Sequence, residues 1–451
     1  MTTVTAPHRL WQNPRYLTWL VSDTSKGLAA ALFAFAIPLL ALIVTNDPAQ
    51  AGIIGGAGMA ARLVFTLAGG VLADRHPRIV LMLIGALAGI LLSGAFTVLA
   101  LLDALTFGTL LAANILLAAR GGLFDVAGES AIKEIVPDDA MGRAQAANQG
   151  RDAALQLAGG PLGGLLLGAG GWLVGVAMTL CHGIAAATAW MLHRQARRAG
   201  IVDTGADADG SRVGASSENP AADAEAEADA VAAAPAGSSA WAELREGFGW
   251  LLSRPDLGGV LLIITIINLG FNAAITTVIY ALQQAGYSEL LIGSLSAAVG
   301  AVMLVGAVVA PLLVPRIRAG VLAISGLSVV AIGAIVLSMV TEPWAIVVVL
   351  GTSVLLLPSL NAGMMGYFMV ATPTQLLGRA NSAAGVLGMG ALPLAPLIAG
   401  FGLSWIGREW TMLVCAALCV LAVVLALGNR ALRALPVESR WAEHARQYET
   451  A

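Results

Sequence analysis

Charge is what this chain lacks. Only 11% of its 451 residues are Asp, Glu, Lys or Arg, against about 25% in an average soluble domain. Apolar residues make up 58% and the mean hydropathy is +0.83. That is more apolar surface than a water-facing fold can bury, so the expected solvent is lipid. The net charge of −3 says nothing about nucleic acid, which is not an expected partner. Cysteine is scarce too. Cys181, Cys415 and Cys419 all lie in apolar runs, with neither a disulfide framework nor metal-ligand spacing, and they read as small buried hydrophobes. No nucleophile–base pair, metal cluster or phosphate-cradling loop appears, so an enzyme, a bound metal and a cofactor are not expected. A cleaved leader is not expected either, because the first apolar run is too long and no small-residue cleavage site follows it.

Long apolar runs are abundant instead. A helix needs about 20 apolar residues to cross a bilayer. Twelve runs qualify, at roughly 16–44, 50–73, 79–101, 106–127, 144–168, 171–192, 257–284, 290–313, 319–340, 343–370, 380–406 and 409–429. The expected fold is an all-α membrane protein of twelve transmembrane helices in two six-helix bundles. With the N-terminus inside, twenty basic residues fall on inner segments and Arg408 alone in an outer loop, while Lys26, Arg62 and Arg120 lie within spans. The positive-inside rule then places both termini in the cytoplasm, with the chain in the inner membrane. Trp172, Trp344, Trp405 and Trp410 mark the outer interface, and Trp11, Trp190, Trp241 and Trp250 the inner one.

Composition divides the chain into a first bundle (1–192), a linker (193–240), a second bundle with a preceding helix (241–430) and a tail (431–451). Residues 199–239, with "ADAEAEADAVAAAPAGSS", are small, acidic and low in complexity, and read as disordered. In "WAELREGFGWLLSRP" (241–255), Trp241, Leu244, Phe248 and Leu251 recur at helical spacing. This predicts an amphipathic helix on the inner membrane surface, or else a soluble extension of span seven. The halves also repeat: "VPDDAMGRAQAA" (136–147) and "TPTQLLGRANSA" (372–383) pair Pro137 with Pro373, Gly142 with Gly378 and Arg143 with Arg379. Each follows the fourth span of its half, and such internal symmetry is a transporter architecture.

The loop after span two, "GGVLADRHPR" (69–78), concentrates charge. Its arginines satisfy the topology rule, but Asp74 does not need to be there for that purpose. Gly69 and Gly70 leave room for a neighbouring helix, and Asp74 at the end of span two can then accept hydrogen bonds that form in one conformation and break in another. Gly70, Asp74, Arg75 and Arg78 match the G-x-x-x-D-R-x-G-R-K signature of the major facilitator superfamily, with Pro77 in place of Gly and Ile79 in place of the last basic residue. The chain is therefore similar to that family over nearly its whole length. The resemblance implies a cytoplasmic latch between the halves at this loop.

Within the family, "ESAIKEIVPDDAMGRAQAANQ", "GGPLGGLLLG" and "WAELREGFGWLLSRPDL" resemble the macrolide-efflux and enterobactin-exporter branch. "GGPLGG" (Gly159, Gly160, Pro161, Gly163 and Gly164) also resembles the glycine–proline motif of antiporters, its proline one place off the usual spacing. Close packing of small residues would require the same glycines.

A charge at the bilayer centre costs at least about 2.5–3.5 kcal/mol, which makes it a functional candidate. At about 1.5 Å per residue, Lys26, Arg62 and Arg120 lie near mid-depth. Asp23 is spaced i, i+3 from Lys26, Asp125 lies lower on span four, and Asp152 near the inner end of span five. The resemblance implies that spans one and four line the central cavity, and that Arg120 corresponds to the arginine of a span-four motif associated with proton transfer. An arginine does not release a proton itself, so Asp23, paired with Lys26 near Arg120, is the candidate proton carrier. A structural ion network is the alternative. His182, mid-span in span six, titrates near neutral pH if exposed, or else bonds a neighbouring helix.

The second half is expected to contribute no buried acid or base. Its corresponding cavity helices offer Asn268, Phe271 and Asn272 in span seven, and Asn361, Met364, Met365 and Tyr367 in span ten. Methionine and aromatic groups make an adaptable wall, and amides add orienting hydrogen bonds; ordinary helix packing is the alternative. A basic first half facing an apolar–amide second half suits an amphipathic, anionic small molecule. The expected activity is proton-coupled export of such a molecule by a monomer in the bilayer. Uptake by the same fold and a non-transporting membrane sensor are the alternatives.

Overall fold

The computed structural model describes residues 10–198, 240–254, 256–373 and 376–447. The linker 199–239 and the side chains of Asp74, Gly142, Gly378 and residues 241–244 lie outside the described set, so nothing is added here to the expectations for them.

Six long helices form the first half: α1 (Pro14–Thr45), α2 (Pro48–Arg75), α3 (Arg78–Leu101), α4 (Phe107–Ile135), α5 (Asp138–Ala169) and α6 (Gly171–Arg198). A shorter helix, α7 (Ala240–Ser253), precedes the second half: α8 (Gly258–Gln284), α9 (Glu289–Leu313), α10 (Ala319–Met339), α11 (Pro343–Val354), α12 (Leu357–Ala371), α13 (Leu377–Gly390), α14 (Leu394–Trp405) and α15 (Gly407–Gly428). Here α11–α12 make one span and α13–α14 another. Two short helices, α16 (Arg430–Ala434) and α17 (Trp441–Arg446), close the described chain. The fold is thus all-helical, with twelve spans in two bundles of six.

Eleven spans are long and apolar enough to cross a membrane by composition. The twelfth, α5, has the length but dilutes its apolar residues with polar groups in its first half and with "GGPLGG" in its second.

Local chemistry fixes the ends. Asn13 accepts from the amides of Arg15 and Tyr16 at 3.0 and 3.3 Å, with Pro14 in the first turn of α1. Asn46 ends that helix in the left-handed region at φ 50°. Asp47 then caps α2 through the amide of Ala49 at 2.9 Å. Pro358 and Pro393 sit at the two broken spans, each near the start of its second segment. Arg408 donates to the carbonyls of Leu337, at 3.2 Å, and Val340 at the end of α10. The one basic residue of the opposite loops is therefore a helix cap.

Twelve spans bring both chain ends to one face, here called the terminal end. The two halves meet chiefly at the other. A Cβ on Gly52 of α2 would strike the Pro396 carbonyl of α14, and one on Gly400 would strike the Pro48 carbonyl. On the other side of the molecule Gly160 and Gly164 of α5 abut the backbones of Gly293 and Glu289 of α9 in the same way. Polar clasps reinforce the closure: Ser404 donates to Asp47 at 3.1 Å, and Gln283 donates to the Leu39 carbonyl at 2.9 Å. Toward the terminal end the seam is lost. Gly385, Gly388 and Gly390 of α13 have nothing within 4 Å of a Cβ position, and Val64 of α2 is 63% exposed. The cleft between the halves opens on that side.

Helix α7 is not an extension of α8, because the chain turns at Arg254–Leu257 between them. It packs instead on α13: Gly247 touches the Arg379 carbonyl, Glu246 pairs with Arg379 at 2.7 Å, and Leu251 is fully buried.

Candidate functional site: a buried ion network in the first half

Asp23 and Lys26, one turn apart on α1, face α4 and α5. Lys26 Nζ lies 2.8 Å from Asp23 Oδ1 and 3.8 Å from Asp125 Oδ1 of α4, and donates to the Asp125 backbone carbonyl at 3.3 Å. The room comes from Gly128: a Cβ there would sit 2.6 Å from Lys26 Nζ and 2.9 Å from Asp23 Oδ1. Trp19 Nε1 donates to the Gly128 carbonyl at 2.9 Å, which pins α1 to α4 beside the pair. Arg120 lies 3.8 Å from Asp125 Oδ1 and donates to the Gly85 carbonyl of α3 at 3.4 Å. A cavity of about 10 Å³ lies between Asp23, Lys26, Arg120, Phe124 and Asp125, space for about one water molecule.

The structure thus brings together four of the five residues expected to couple protons: Asp23, Lys26, Arg120 and Asp125. The fifth does not join them. Arg62 is exposed on α2 and makes no ion pair among the described residues; its backbone, not its side chain, meets α4 at Gly122. A residue absent from the expected set takes its place. Arg151 of α5 lies 2.8 Å from Asp23 Oδ2 and 2.8 Å from Asp152 Oδ1, with its guanidinium 5.7 Å from the Trp19 ring centre. Its position inside run 144–168 was a legible signal. Glu129, one turn beyond Asp125, is the other addition, within electrostatic reach of Lys26. The apolar run of span four stops before it, although α4 continues to Ile135.

The remaining candidates are more dispersed. Gly69 packs against the Gly122 and Leu123 backbones, whereas Gly70 meets nothing within 4 Å, so close helix approach occurs at only one of the two glycines. Arg75 is exposed, and Arg78 pairs with Glu134 of its own half at 3.1 Å. Arg78 does not bridge to the second half, because the halves are parted at this end. His182 is 1% exposed and packs on Gly89, within electrostatic reach of Arg120 and Lys26.

Among the proposed lining residues of the second half, Asn361 and Met365 are exposed. Asn268 donates to the Gly388 carbonyl at 3.5 Å and Asn272 to the Asn268 carbonyl at 2.8 Å. Phe271 and Met364 are core residues, each 8% exposed. Tyr367 departs furthest from expectation. It is fully buried and donates to Asp256 Oδ2 at 2.6 Å, while Arg254 grips the same carboxylate twice at 2.9 Å. Burial alone pushes the Asp256 carboxyl up, but the hydrogen bonds from Arg254 and Tyr367 outweigh it and hold the group below its ordinary range. Trp441 of α17 fills the hollow at Gly366 and meets the Tyr367 ring edge-on at 6.4 Å between centres. Tyr367 therefore packs into a buried polar cluster at the terminal end instead of lining the cleft, and the buried Asp256 and Arg254 correct the expectation that the second half holds no buried acid or base.

The sequence profile described as Major Facilitator Superfamily matches residues 24–392. No curated protein matches the chain. Among solved structures, a bacterial homologue of the iron transporter ferroportin in its inward-facing state has a TM-score of 0.65 at 14% identity, over 93% of this chain and 99% of that one. A D-xylose–proton symporter gives 0.62 at 15%, over 94% and 98%. A bacterial metal transporter gives 0.59 at 12%, over 94% and 99%.

Proposed function

The chain belongs to the major facilitator superfamily, and from that premise we propose that it is a proton-coupled exporter of amphipathic small molecules working by alternating access. The observation that carries this reading is the clamp on Asp23: a carboxylate 4% exposed, held by Lys26 of α1 and Arg151 of α5 at 2.8 Å each. A proton arriving on Asp23 cancels the negative charge that ties the two cations, and the two helices carrying them, together. Asp125, 3.8 Å from both Lys26 and Arg120, is placed to take up Lys26 when Asp23 lets go. The cost of such a network in lipid argues that it is kept for use.

The closed glycine seams at one end and the parted helices at the other are one state of a rocking cycle. Basic segments at the terminal end support a cytoplasmic placement for that end, and hence a cleft open to the cytoplasm, where an exporter loads. Exposed Asn361 and Met365 with the amides of Asn268 and Asn272 supply a mixed apolar–polar surface for cargo. Direction and cargo class rest on the resemblance of segments 129–149, 159–168 and 241–257 to the macrolide and enterobactin exporters.

The test is transport in proteoliposomes with an imposed pH gradient, using macrolides, siderophores and lipophilic dyes. Wild type moves at least one class outward against its gradient as protons move in. Asp23→Asn lowers that driven flux by about 5–150-fold, the span set by a coupling of 1–3 kcal/mol. Undiminished driven flux in Asp23→Asn overturns the assignment of the proton to this network, and inward cargo movement overturns the direction.

A further inference from the structure

We propose that Arg151 is the positioning residue through which the charge on Asp23 reaches the seam between the two halves. The inference rests on the proton-coupled reading above. Its starting point is where each member of the network sits. Asp23 and Lys26 are on α1, and Arg120, Asp125 and Glu129 on α4. The main seam with the second half on this side belongs to α5: Leu157 packs on Gly300, Gly160 on Gly293 and Gly164 on Glu289. Arg151 is six residues before Leu157 and nine before Gly160, about 9 and 13 Å along one helix. Pro161 lacks the N–H that would bond the Leu157 carbonyl, so the helical ladder is unbroken from Arg151 as far as Leu157, the first of these contacts.

Among the described residues the link between network and seam contains one short ion pair. Most of the α1–α5 packing is apolar, with Gly27 against Leu155 and Ala31 against Gly159, and a proton on Asp23 leaves it unchanged. The Arg151–Asp23 pair is the ion pair that joins the α1–α4 charges to α5 among the described residues. Arg151 also has a second acid to hand. Asp152, on its own helix and 54% exposed at the side chain, accepts from Nε at 3.0 Å and from Nη2 at 2.8 Å. When Asp23 is neutralised, Arg151 keeps a partner that does not tether α5 to α1. Lys26 has Asp125 in the same role. The exchange leaves neither cation buried alone, which would be the costly outcome.

Other charges face these groups. On α1, Tyr16 lies within reach of Arg151. On α4, Glu129 faces Asp23, Asp125 and Asp152 as well as Lys26. On α2, Arg62 faces Arg120, and on α6 His182 faces Arg120 and Lys26. None of these sits on the helix that forms the seam; Tyr16 and Glu129 reach α5 through Arg151 and Asp152.

The experiment measures the distance across the cleft. Nitroxide labels at Val71→Cys on α2 and Ser382→Cys on α13, both exposed positions, report the terminal-end opening by pulsed electron spin resonance in lipid nanodiscs at pH 8 and pH 5. Wild type shifts its distance distribution between the two. Arg151→Gln abolishes the shift, and Arg151→Lys, which keeps a cation for Asp23, restores it. Asp152→Asn, a change at an exposed side chain, shrinks the shift because Arg151 loses its second anion.

An Arg151→Gln protein that shifts like wild type overturns the proposal. So does an Arg151→Lys protein as unresponsive as Arg151→Gln, because charge would then not be the property that matters. An Asp152→Asn shift equal to wild type overturns it independently of how the Arg151 variants fold. A wild-type distance that ignores pH while inward protons still drive cargo outward overturns this inference and leaves the transport reading standing. Absence of any proton-driven flux overturns both.

Discussion

Asp256→Asn removes one charge from a lock that the structure shows closed on all sides. Asp256 is 0% and Arg254 5% exposed, and three hydrogen bonds of 2.6–2.9 Å converge on the carboxylate. With the acid neutralised, the buried Arg254 guanidinium loses this charged partner, a loss of roughly 3–5 kcal/mol. Tyr367→Phe deletes only one hydrogen bond to a charged acceptor, about 1.5–3 kcal/mol. For a helical half of around 200 residues, each kcal/mol shifts the midpoint by about 2–4 °C. Asp256→Asn then melts about 6–20 °C below wild type, and Tyr367→Phe about 3–12 °C below. The chain carries its own reporter: Cys415 and Cys419 on α15 are fully buried, so a thiol-reactive dye follows unfolding of the second half in detergent, with Cys181→Ala removing the signal from the first. The pH dependence has a fixed sign. Because the Asp256 carboxyl lies below its ordinary value, its contribution is present above about pH 4 and fades as pH falls through the folded value. Wild type and Asp256→Asn therefore differ at pH 7 and converge in acid. A midpoint for Asp256→Asn within about 2 °C of wild type at pH 7, or a larger loss in Tyr367→Phe, refutes the reasoning.

His444 of α17 lies 6.0 Å from the Tyr367 ring between centres, and burial holds its imidazole below the ordinary value against the pull of the Asp256 charge. A depressed group loses its contribution as pH falls, so docking of residues 430–447 weakens below about pH 6.5. The amide protection factors of that segment, corrected for the intrinsic pH dependence of exchange, are expected to fall between pH 7.5 and 5.5 in wild type and to fall less in His444→Gln. At the opposite end, Gly160→Leu places a side chain where even a Cβ would lie 2.7 Å from the Gly293 carbonyl. The seam is forced apart, and a cysteine at Leu162 of α5, 42% exposed, is expected to react faster with a membrane-impermeant maleimide from the face opposite the termini. Equal reactivity in the two proteins refutes a closed seam.

The spans were legible because lipid imposes a simple rule: apolar runs of bilayer length become helices. Run 16–44 became Pro14–Thr45 and run 319–340 became Ala319–Met339. Departures occur where helices leave the apolar region. Helices α4, α5 and α6 run past their hydrophobic stretches by several polar residues at the terminal end, because helical hydrogen bonding does not require an apolar side chain. The two breaks, at 355–356 and 391–393, carried a proline signal, but membrane helices tolerate proline often enough that the signal does not separate a kink from a break. The ion network was legible as a set of costly residues but not as a geometry. Spacing on one helix pairs Asp23 with Lys26, whereas the Arg151 contact depends on the rotation of α5 about its own axis. Tyr367 failed for the same reason: position within a span says nothing about which side of the helix faces the cleft.

The polar chemistry is divided unequally between the halves, and the division has a mechanical sense. In the first half Asp23, Lys26, Asp125, Arg120 and Arg151 share more cations and acids than any single arrangement satisfies at short range: Asp125 waits at 3.8 Å from both Lys26 and Arg120 while Asp23 holds two partners at 2.8 Å. That is a set with more than one comparably good pairing, the property a switch needs. In the second half Asp256 has all its short partners at once, and α17 seals the site with Trp441 and Ala445, 5% and 2% exposed. Such a set has one good pairing and resists change. The terminal ends of α12 and α13 are fastened, α12 through Tyr367 and α17 and α13 through Arg379 and α7, while α1 and α5 are joined by a pair that one proton can cancel. In the proposed cycle the second half is the stator and the first the part that responds, with a proton on Asp23 moving α5 along the α9 seam before the second half shifts.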